Sequence, residues 1–365
     1  MIIVGAAAFA IWIYLLLGRG AFWRMREAAP AGRDTASVVA VVPARNEAAF
    51  VGAAIASLAA QVGIVLVDDA SDDGTADIAR TAASPDVLRV IAARPLPAGW
   101  TGKMWAVSEG VRAAGTPEYL LLTDADIVHP PHNVAGLVAR ARTGGYDLVS
   151  YMVRLRCRSF AEQALIPAFV FFFFLLYPPA WIADPRRATA GAAGGCILIR
   201  RDALERIGGI ERIRGKVIDD CALARAVKQS GGRIWLGLSG ETHSLREYRS
   251  FGEMGRMIAR TAFTQLSYSA WTLLGTIAGL VLTYLAPPAL TLLAPEGAAR
   301  SLGAAAWFLM TAMYWPAVRY HGRPWFWAPL LPAIAVFYLA ATVWSAVAYW
   351  SGHGGMWKGR AAAAS

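Results

Sequence analysis

The chain has 365 residues, 56% of them hydrophobic and only 16% charged, with a formal net charge of +10. That balance is too apolar for an ordinary soluble protein and the length exceeds one average domain, so part of the chain belongs in lipid. The basic excess is scattered and not interleaved with aromatic residues along one segment, which speaks against nucleic acid as a partner and suits anionic lipid and anionic substrates. Cys157, Cys196 and Cys221 are odd in number and lack metal-ligand spacing, so they read as reduced packing thiols.

From Ile2 to Leu17 the chain is apolar and uncharged, and Arg19, Arg24 and Arg26 follow at once. A cleaved signal peptide would carry its charge before the apolar run and a small-residue cleavage site after it. The order seen here predicts a retained transmembrane anchor over residues 1–24, extended through Phe22 and Trp23. Residues 25–266 follow as a cytoplasmic domain in which short apolar runs alternate with helical patterns. Strands are expected at 38–42, 64–67, 88–92, 119–123, 147–152 and 196–199, with helices over 48–60 and 75–82. Apolar strands separated by helices predict an α/β, Rossmann-like, mainly parallel sheet, whose ligands bind beyond the carboxyl ends of the strands.

The polar clusters fall at those ends. They are Pro43-Ala44-Arg45-Asn46-Glu47, then Asp68-Asp69-Ala70-Ser71-Asp72-Asp73-Gly74-Thr75, then Thr123-Asp124-Ala125-Asp126. In an extended backbone residues i and i+2 face the same way, so Asp124 and Asp126 are expected to meet one ligand together. Mg²⁺ and Mn²⁺ are commonly held by one or two carboxylates plus waters and substrate phosphates. Standing alone the pair reads first as a solvated turn; the other clusters at the strand ends change that reading. Phosphate loops of the G-x-x-x-x-G-K-[ST] and G-x-G-x-x-G kinds are absent, which argues against ATPases and dinucleotide dehydrogenases.

Residues 164–182, with phenylalanine throughout 171–174, form a further apolar run. A crossing there would put all later residues on the side opposite Asp124, so the segment is read as interfacial or re-entrant. Residues 267–365 read as a C-terminal membrane domain with about three helices at 267–293, 303–318 and 325–350. Their Trp and Tyr suit interfacial belts, and Arg319, His321 and Arg323 put that loop in the cytoplasm. Lys358 and Arg360 argue the other way if there are four crossings.

The ordered set formed by these three loops, Gly102-Lys103, Gly194-Gly195-Cys196 and Asp219-Asp220 resembles the motif series of the family 2 inverting glycosyltransferases of GT-A fold, over roughly residues 38–260. With the apolar segments it looks most like the hopene-associated glycosyltransferases of hopanoid biosynthesis, which are similar to ceramide glucosyltransferases. The resemblance implies a nucleotide-sugar donor, a UDP-sugar first, and a lipid acceptor, at the inner (cytoplasmic) membrane with the catalytic domain facing the cytoplasm. It implies that Pro43, Ala44, Arg45 and Glu47 wrap the nucleoside, that Asp69, with Asp68, binds the base, and that Asp126 holds Mg²⁺ or Mn²⁺ while Asp124 contacts ribose or the metal. Lys103 and Arg260 stand for cations near the diphosphate. Asp220 matches the general base, with Asp219 beside it, and Gly194, Gly195 and Cys196 match an acceptor-side turn. Local chemistry offers capping alternatives for Asp72, Asp73, Asp219 and Asp220. The family's membrane members commonly carry Q-x-x-R-W, whereas this chain has Met257-Ile258-Ala259-Arg260-Thr261, a departure that argues against processive polysaccharide synthesis.

A hopanoid is the first acceptor expected, with ceramide-type lipid or polyprenyl phosphate next. The competing functions are a nucleotidyl- or phosphotransferase using the same acids, and a non-catalytic nucleotide-sugar-binding scaffold. His129, His132 and His243 have no partner at ligand spacing, and only His129, close behind the acidic pair, merits a test. Donor sugar and oligomeric state are not legible.

Overall fold

The computed structural model describes residues 1–29 and 31–352, so Lys358 and Arg360 lie outside the described residues. The described residues divide into two compact units, one built from residues 26–156 and 181–247, the other from 1–25, 157–180 and 248–352.

The first unit is an eight-stranded sheet. Its strands are β1 (Val38–Ala44), β2 (Gly63–Asp68), β3 (Leu88–Ala92), β4 (Tyr119–Leu122), β5 (Ile127–Val128), β6 (Leu148–Arg154), β7 (Ile197–Arg200) and β8 (Ile234–Ser244), in the order β3-β2-β1-β4-β7-β6-β8-β5. Parallel pairings join β1 to β2 and β4, β2 to β3, and β6 to β8. β7 runs antiparallel between β4 and β6, and β5 antiparallel to β8. The sheet is therefore mixed and mainly parallel. Its central strands are near-continuous Val, Ile and Leu because both faces are covered: all four residues of β4 are buried, and so are Ile64, Val65, Leu66 and Val67 of β2.

Helix Val51–Ala59 covers one face by burying Val51, Ile55 and Leu58 at helical spacing. Each such side chain contributes roughly 1.5–3 kcal/mol of burial. Helix Gly102–Ala113 lies so close to the sheet that a Cβ on Gly110 would overlap Val41. β5 and β8 escape the sequence expectation. β5 is two residues long, and β8 interrupts its apolar pattern with Gly237, Ser239, Gly240 and Glu241. Its register beside β6 makes it a strand, which is information from another segment.

The second unit is helical. Helices Phe160–Leu176, Phe251–Gln265, Ala298–Tyr320 and Leu331–Trp350 accompany a run from Ala270 to Leu293 that passes through a π-helical segment, Val281–Leu285. Aromatic edges link them: Phe171 meets Phe22 at 5.2 Å and Tyr314 at 5.4 Å, and Phe172 meets Tyr338 at 4.8 Å between centroids. Among the described residues three helical runs are long and apolar enough to cross a membrane, namely Phe160–Ala183, Ala270–Leu293 and Trp325–Trp350.

The expected N-terminal anchor requires correction. Helix Ile2–Leu17 has 16 residues and ends at Gly18, about 24 Å of rise against a hydrocarbon core of about 30 Å. It is too short to be a span. Left-handed residues at Ala21 and Met25 prevent its extension through Phe22 and Trp23. Its Trp12 is fully buried, donating from Nε1 to the Thr283 carbonyl at 2.9 Å, so the helix packs within this unit. The expected crossing at 303–318 falls inside Ala298–Tyr320, whose Trp307, Tyr314, Trp315 and Pro316 dilute its hydropathy below that of the three runs.

Candidate active site

Because β1, β2 and β4 are parallel neighbours, the loops after them leave from one edge of the sheet. β7 runs the other way, so its start, Ile197, pairs with the end of β4 at Leu122, and Gly194-Gly195 reach the same edge. At that edge a cleft is lined by Pro43, Lys103, Asp124, Gly194, Asp219 and Asp220 together with the apolar residues Met104, Leu122, Ile197, Ile213 and Leu223.

Lys103 sits at the centre of the charges. Its Nζ lies 3.1 Å from Asp124 Oδ1 and 3.1 Å from Asp219 Oδ2. It stands in the first turn of helix Gly102–Ala113, behind the Thr101 cap, where the helix dipole disfavours a cation. Burial depresses its pKa, but Asp124, Asp219 and Asp220 outweigh burial and hold the ammonium above its usual range. Asp219 and Asp220 open helix Asp219–Gln229, where the dipole favours acids. Neither is the N-cap, which is Ile218. Asp220 accepts from Gly194 N at 2.9 Å and from Cys221 N at 2.7 Å. Burial, followed by the Asp219 charge, lifts its carboxyl to about 6 against the pull of Lys103.

A Cβ on Gly194 would come within 3.4 Å of Lys103 Nζ and 3.5 Å of Asp220 Oδ2, so glycine leaves these two groups room. Gly195 contributes its carbonyl, which accepts from Thr123 Oγ1 at 2.8 Å. Cys196 needs correcting as an acceptor-side group: it is fully buried in the core and burial pushes its thiol up to about 12, so its side chain is packing.

The acidic pair at the end of β4 does not share a face in the expected way. β4 stops at Leu122, and Ile127 N donates to Asp124 O at 3.3 Å, closing a turn. The i, i+2 rule belongs to extended chain and fails here. Asp124 turns to Lys103. Asp126, buried, accepts at Oδ2 from Arg246 Nε at 2.8 Å and from Ser244 Oγ at 3.2 Å. Burial raises its pKa, opposed by Arg246. Oδ1 of Asp126 accepts no hydrogen bond among the described residues, and no cluster of three potential ligands occurs among them.

The loops after β1 and β2 are stitched together. Arg45 donates to the Asp69 carbonyl and, at 3.3 Å, to the Ala70 carbonyl; Asn46 N donates to Ser71 Oγ at 3.0 Å and Glu47 N to Thr75 Oγ1 at 2.8 Å. Asp73 accepts from Ala48 N and Thr75 N, both at 3.0 Å, but the N-cap of helix Thr75–Ala82 is Gly74 with no side-chain bond, so neither Asp72, which is exposed, nor Asp73 is the cap. Ala70 is held at φ 53°, a left-handed conformation that costs a non-glycine residue about 1 kcal/mol or more. Ala44 is buried, its carbonyl accepting from Asp69 N. Asp68 Oδ2 accepts from Ser71 N at 3.3 Å, whereas its buried Oδ1 has no hydrogen-bond partner. Both oxygens of Glu47 accept from Arg246 Nη2 at 2.6 Å.

His129 is buried with both ring nitrogens engaged, by Thr123 Oγ1 and Asn133 Nδ2 at 3.0 Å each, and burial drops its pKa to about 4. It is a neutral structural residue with no lone pair left for a metal. Arg260 is exposed on helix Phe251–Gln265 of the helical unit. Sequence reasoning missed Ser244 and Arg246, because they lie at and just beyond the end of β8, the strand whose pattern is broken by glycine and polar residues.

Residues 39–208 match the family "Glycosyl transferase family 2". They are a family 2 glycosyltransferase domain, and the chain is a glycosyltransferase. Comparison with curated proteins finds no match. Among solved structures, the glycosyltransferase shares its fold with the mannosyltransferase PcManGT from Pyrobaculum calidifontis, determined in complex with GDP-Man and Mn²⁺. The two are 19% identical with a TM-score of 0.56, over 94% of this chain and 99% of that one. Glucosyl-3-phosphoglycerate synthase from Mycobacterium tuberculosis, in complex with phosphoglyceric acid, is 22% identical with a TM-score of 0.42, over 65% of this chain and 80% of that one. The α/β sheet of this glycosyltransferase, with its long apolar C-terminal helices, is thus of GT-A type.

Proposed function

We propose that this glycosyltransferase moves a sugar from a nucleotide-sugar donor to a hydroxyl of a membrane lipid, with inversion, at the cytoplasmic face of the inner membrane. The observation that carries the reading is the single cleft in which Lys103, Asp124, Asp219 and Asp220 converge at the carboxyl edge of the sheet. Asp220 is the general base. Its carboxylate, oriented by Gly194 N and Cys221 N, takes the proton from the acceptor hydroxyl. The hydroxyl oxygen then bonds to the anomeric carbon while the bond to the diphosphate breaks and its electron pair leaves on the diphosphate oxygen. Attack from the side opposite the leaving group inverts the centre.

Oδ1 of Asp126 and the part-exposed carboxylate of Asp124 suit a hard divalent cation that keeps waters and phosphate oxygens as its other ligands. Mg²⁺ or Mn²⁺ bound there would stabilise charge on the leaving diphosphate. The donor of the solved relative is GDP-mannose and its ion Mn²⁺, which supports a nucleotide sugar with a metal here without choosing between UDP and GDP. Asp68, with its unpaired oxygen, and Asp69 are the residues for the base. Arg45 holds their loop.

A lipid acceptor follows from the three long apolar runs. Phe160–Ala183 is long enough to span, yet residues before and after it build one sheet: β7 lies between β4 and β6. A single crossing would divide that sheet between two sides of a bilayer, so the run enters the interface and returns. Among lipids, a hopanoid is implied by the sequence resemblance alone.

The test is transfer from UDP- and GDP-sugars to extracted lipid with Mn²⁺. Release of nucleoside diphosphate is expected, and D220N should lose about 10²–10⁴ in turnover with donor affinity little changed. D219N should cost less. Release of pyrophosphate or nucleoside monophosphate, or wild-type turnover in D220N, would overturn the reading.

A further inference from the structure

Arg246 lies in no motif of the sequence, yet it joins the loop after β1 to the turn after β4. Its Nη2 bonds both oxygens of Glu47 at 2.6 Å, and its Nε bonds Asp126 Oδ2 at 2.8 Å. The segment around it is pinned at the same turn by backbone and side chain. Leu245 N donates to Asp126 O at 2.8 Å, Ser244 Oγ to Asp126 Oδ2 at 3.2 Å, and Arg246 N to Ser244 Oγ at 3.2 Å. The guanidinium also lies over the Phe50 ring, 5.2 Å from its centroid. Glu47 and Asp126 are both less than a tenth exposed. Two buried carboxylates from different loops would repel, and the planar guanidinium with its forked donors satisfies both at once.

Resting on the glycosyltransferase reading above, we infer that Arg246 is a positioning residue for the metal-dependent part of donor binding. It fixes the Asp126 carboxylate through Oδ2, so that Oδ1 is presented in one orientation, and it anchors that carboxylate to Glu47 in the nucleoside loop. Glu47 then acts on the donor through Arg246 and not by touching the nucleoside. Hydrogen-bond partners of metal-ligating carboxylates typically contribute 10–100-fold in metal affinity. Lysine in place of Arg246 keeps the charge but has one nitrogen, which cannot hold both carboxylates in a fixed fork.

The experiment is calorimetric titration of UDP and of GDP into the full chain in nanodiscs, with Mn²⁺ and with EDTA, for wild type, R246K, R246Q and E47Q, with melting curves alongside. The reading is the gain in nucleotide affinity that Mn²⁺ confers. R246K and R246Q are expected to lose about 10–100-fold of that gain while their EDTA affinities stay near wild type. E47Q, which leaves Arg246 and Asp126 in place, is expected to lose less and to remain folded if the arginine variants do not. Full Mn²⁺-dependent gain in folded R246K or R246Q overturns the role of Arg246, as does a gain in E47Q unchanged from wild type. A lowered melting temperature with the gain intact marks Arg246 as structural only and overturns it too. Wild-type protein that binds neither nucleotide with Mn²⁺ overturns the donor reading itself, a result separate from any difference among the variants.

Discussion

Asp220 sets how the site should respond to pH. Its carboxyl is raised to about 6 by burial and by Asp219, so the carboxylate that the proposed base role requires is present above that value and lost below it. For stability the sign is the reverse of a salt-bridged acid: the folded state binds the proton more readily than the unfolded chain, so ionising Asp220 between about 4 and 6 costs stability. Turnover at limiting acceptor should therefore rise through an apparent pKa near 6, a value that belongs to the Asp219–Asp220–Lys103 cluster as a unit. D220N should remove this acid limb, and a rate profile from pH 4.5 to 8 checks it. Lys103 pulls the Asp220 carboxyl down, so K103M should move the limb to higher pH and lower turnover at neutrality. A K103M profile superposable on wild type would show that the ammonium 3.1 Å from Asp219 has no hold on its neighbour. His129, neutral down to about pH 4, adds no limb of its own in this range.

Helix Gly102–Ala113 carries Lys103 to the cleft, and its distance from the sheet is set by one residue. A Cβ at Gly110 would stand 2.4 Å from Val41 Cγ1 and 3.0 Å from Val67 Cγ2, both on central strands. G110A should therefore force the helix away from β1 and destabilise the sheet unit by about 1–3 kcal/mol, even though alanine is the better helix former. A melting temperature at or above wild type would show that the helix slides without strain. If it is displaced, Lys103 moves with it, so donor-dependent turnover should fall as well. Register, too, is decided between elements. The 11 residues of β8 contain two glycines and become a strand by pairing with β6, and their exit at Ser244 and Arg246 supplies the contacts to Asp126.

At the scale of the whole molecule, the question is how a chain with three membrane-length apolar runs keeps one catalytic sheet. β6 precedes Phe160–Ala183 and β7 follows it, and the two strands are hydrogen-bonded neighbours. Return of the chain through Asp184 to Ala193 would drag Arg186 and Arg187 through lipid if the run crossed, at a cost of several kcal/mol. Cysteines placed at the exposed Thr143 and Arg186, in a background with Cys157 replaced, should react with an impermeant maleimide from the same side in oriented vesicles. Labelling from opposite sides would reject the re-entrant arrangement. Cys196 and Cys221 are buried and should stay silent in the control.

Much of this architecture was legible in the chain because it is local. Runs of Val, Ile and Leu ending in polar or acidic loops mark β1, β2 and β4, and the parallel arrangement follows from helices between them, so the edge that gathers Pro43, Asp68 and Asp124 could be placed from sequence, whereas Gly194 reaches it only because β7 runs antiparallel. The apolar runs at 270–293 and 325–350 are likewise a matter of composition. What needed the tertiary structure is every property set by a partner distant in the chain. Asp124 and Asp126 part because β4 stops one residue before Thr123 and a turn begins, with Lys103 on one side and Arg246 on the other. Glu47 is claimed by a residue 199 positions away. Cys196 was in reach of the cleft by sequence and is sealed in the core just ahead of β7. The N-terminal helix reads as an anchor by hydropathy, and its length together with its burial against Thr283 makes it a packing helix instead. Hydropathy reports the solvent a side chain prefers; only packing decides whether lipid or protein provides it.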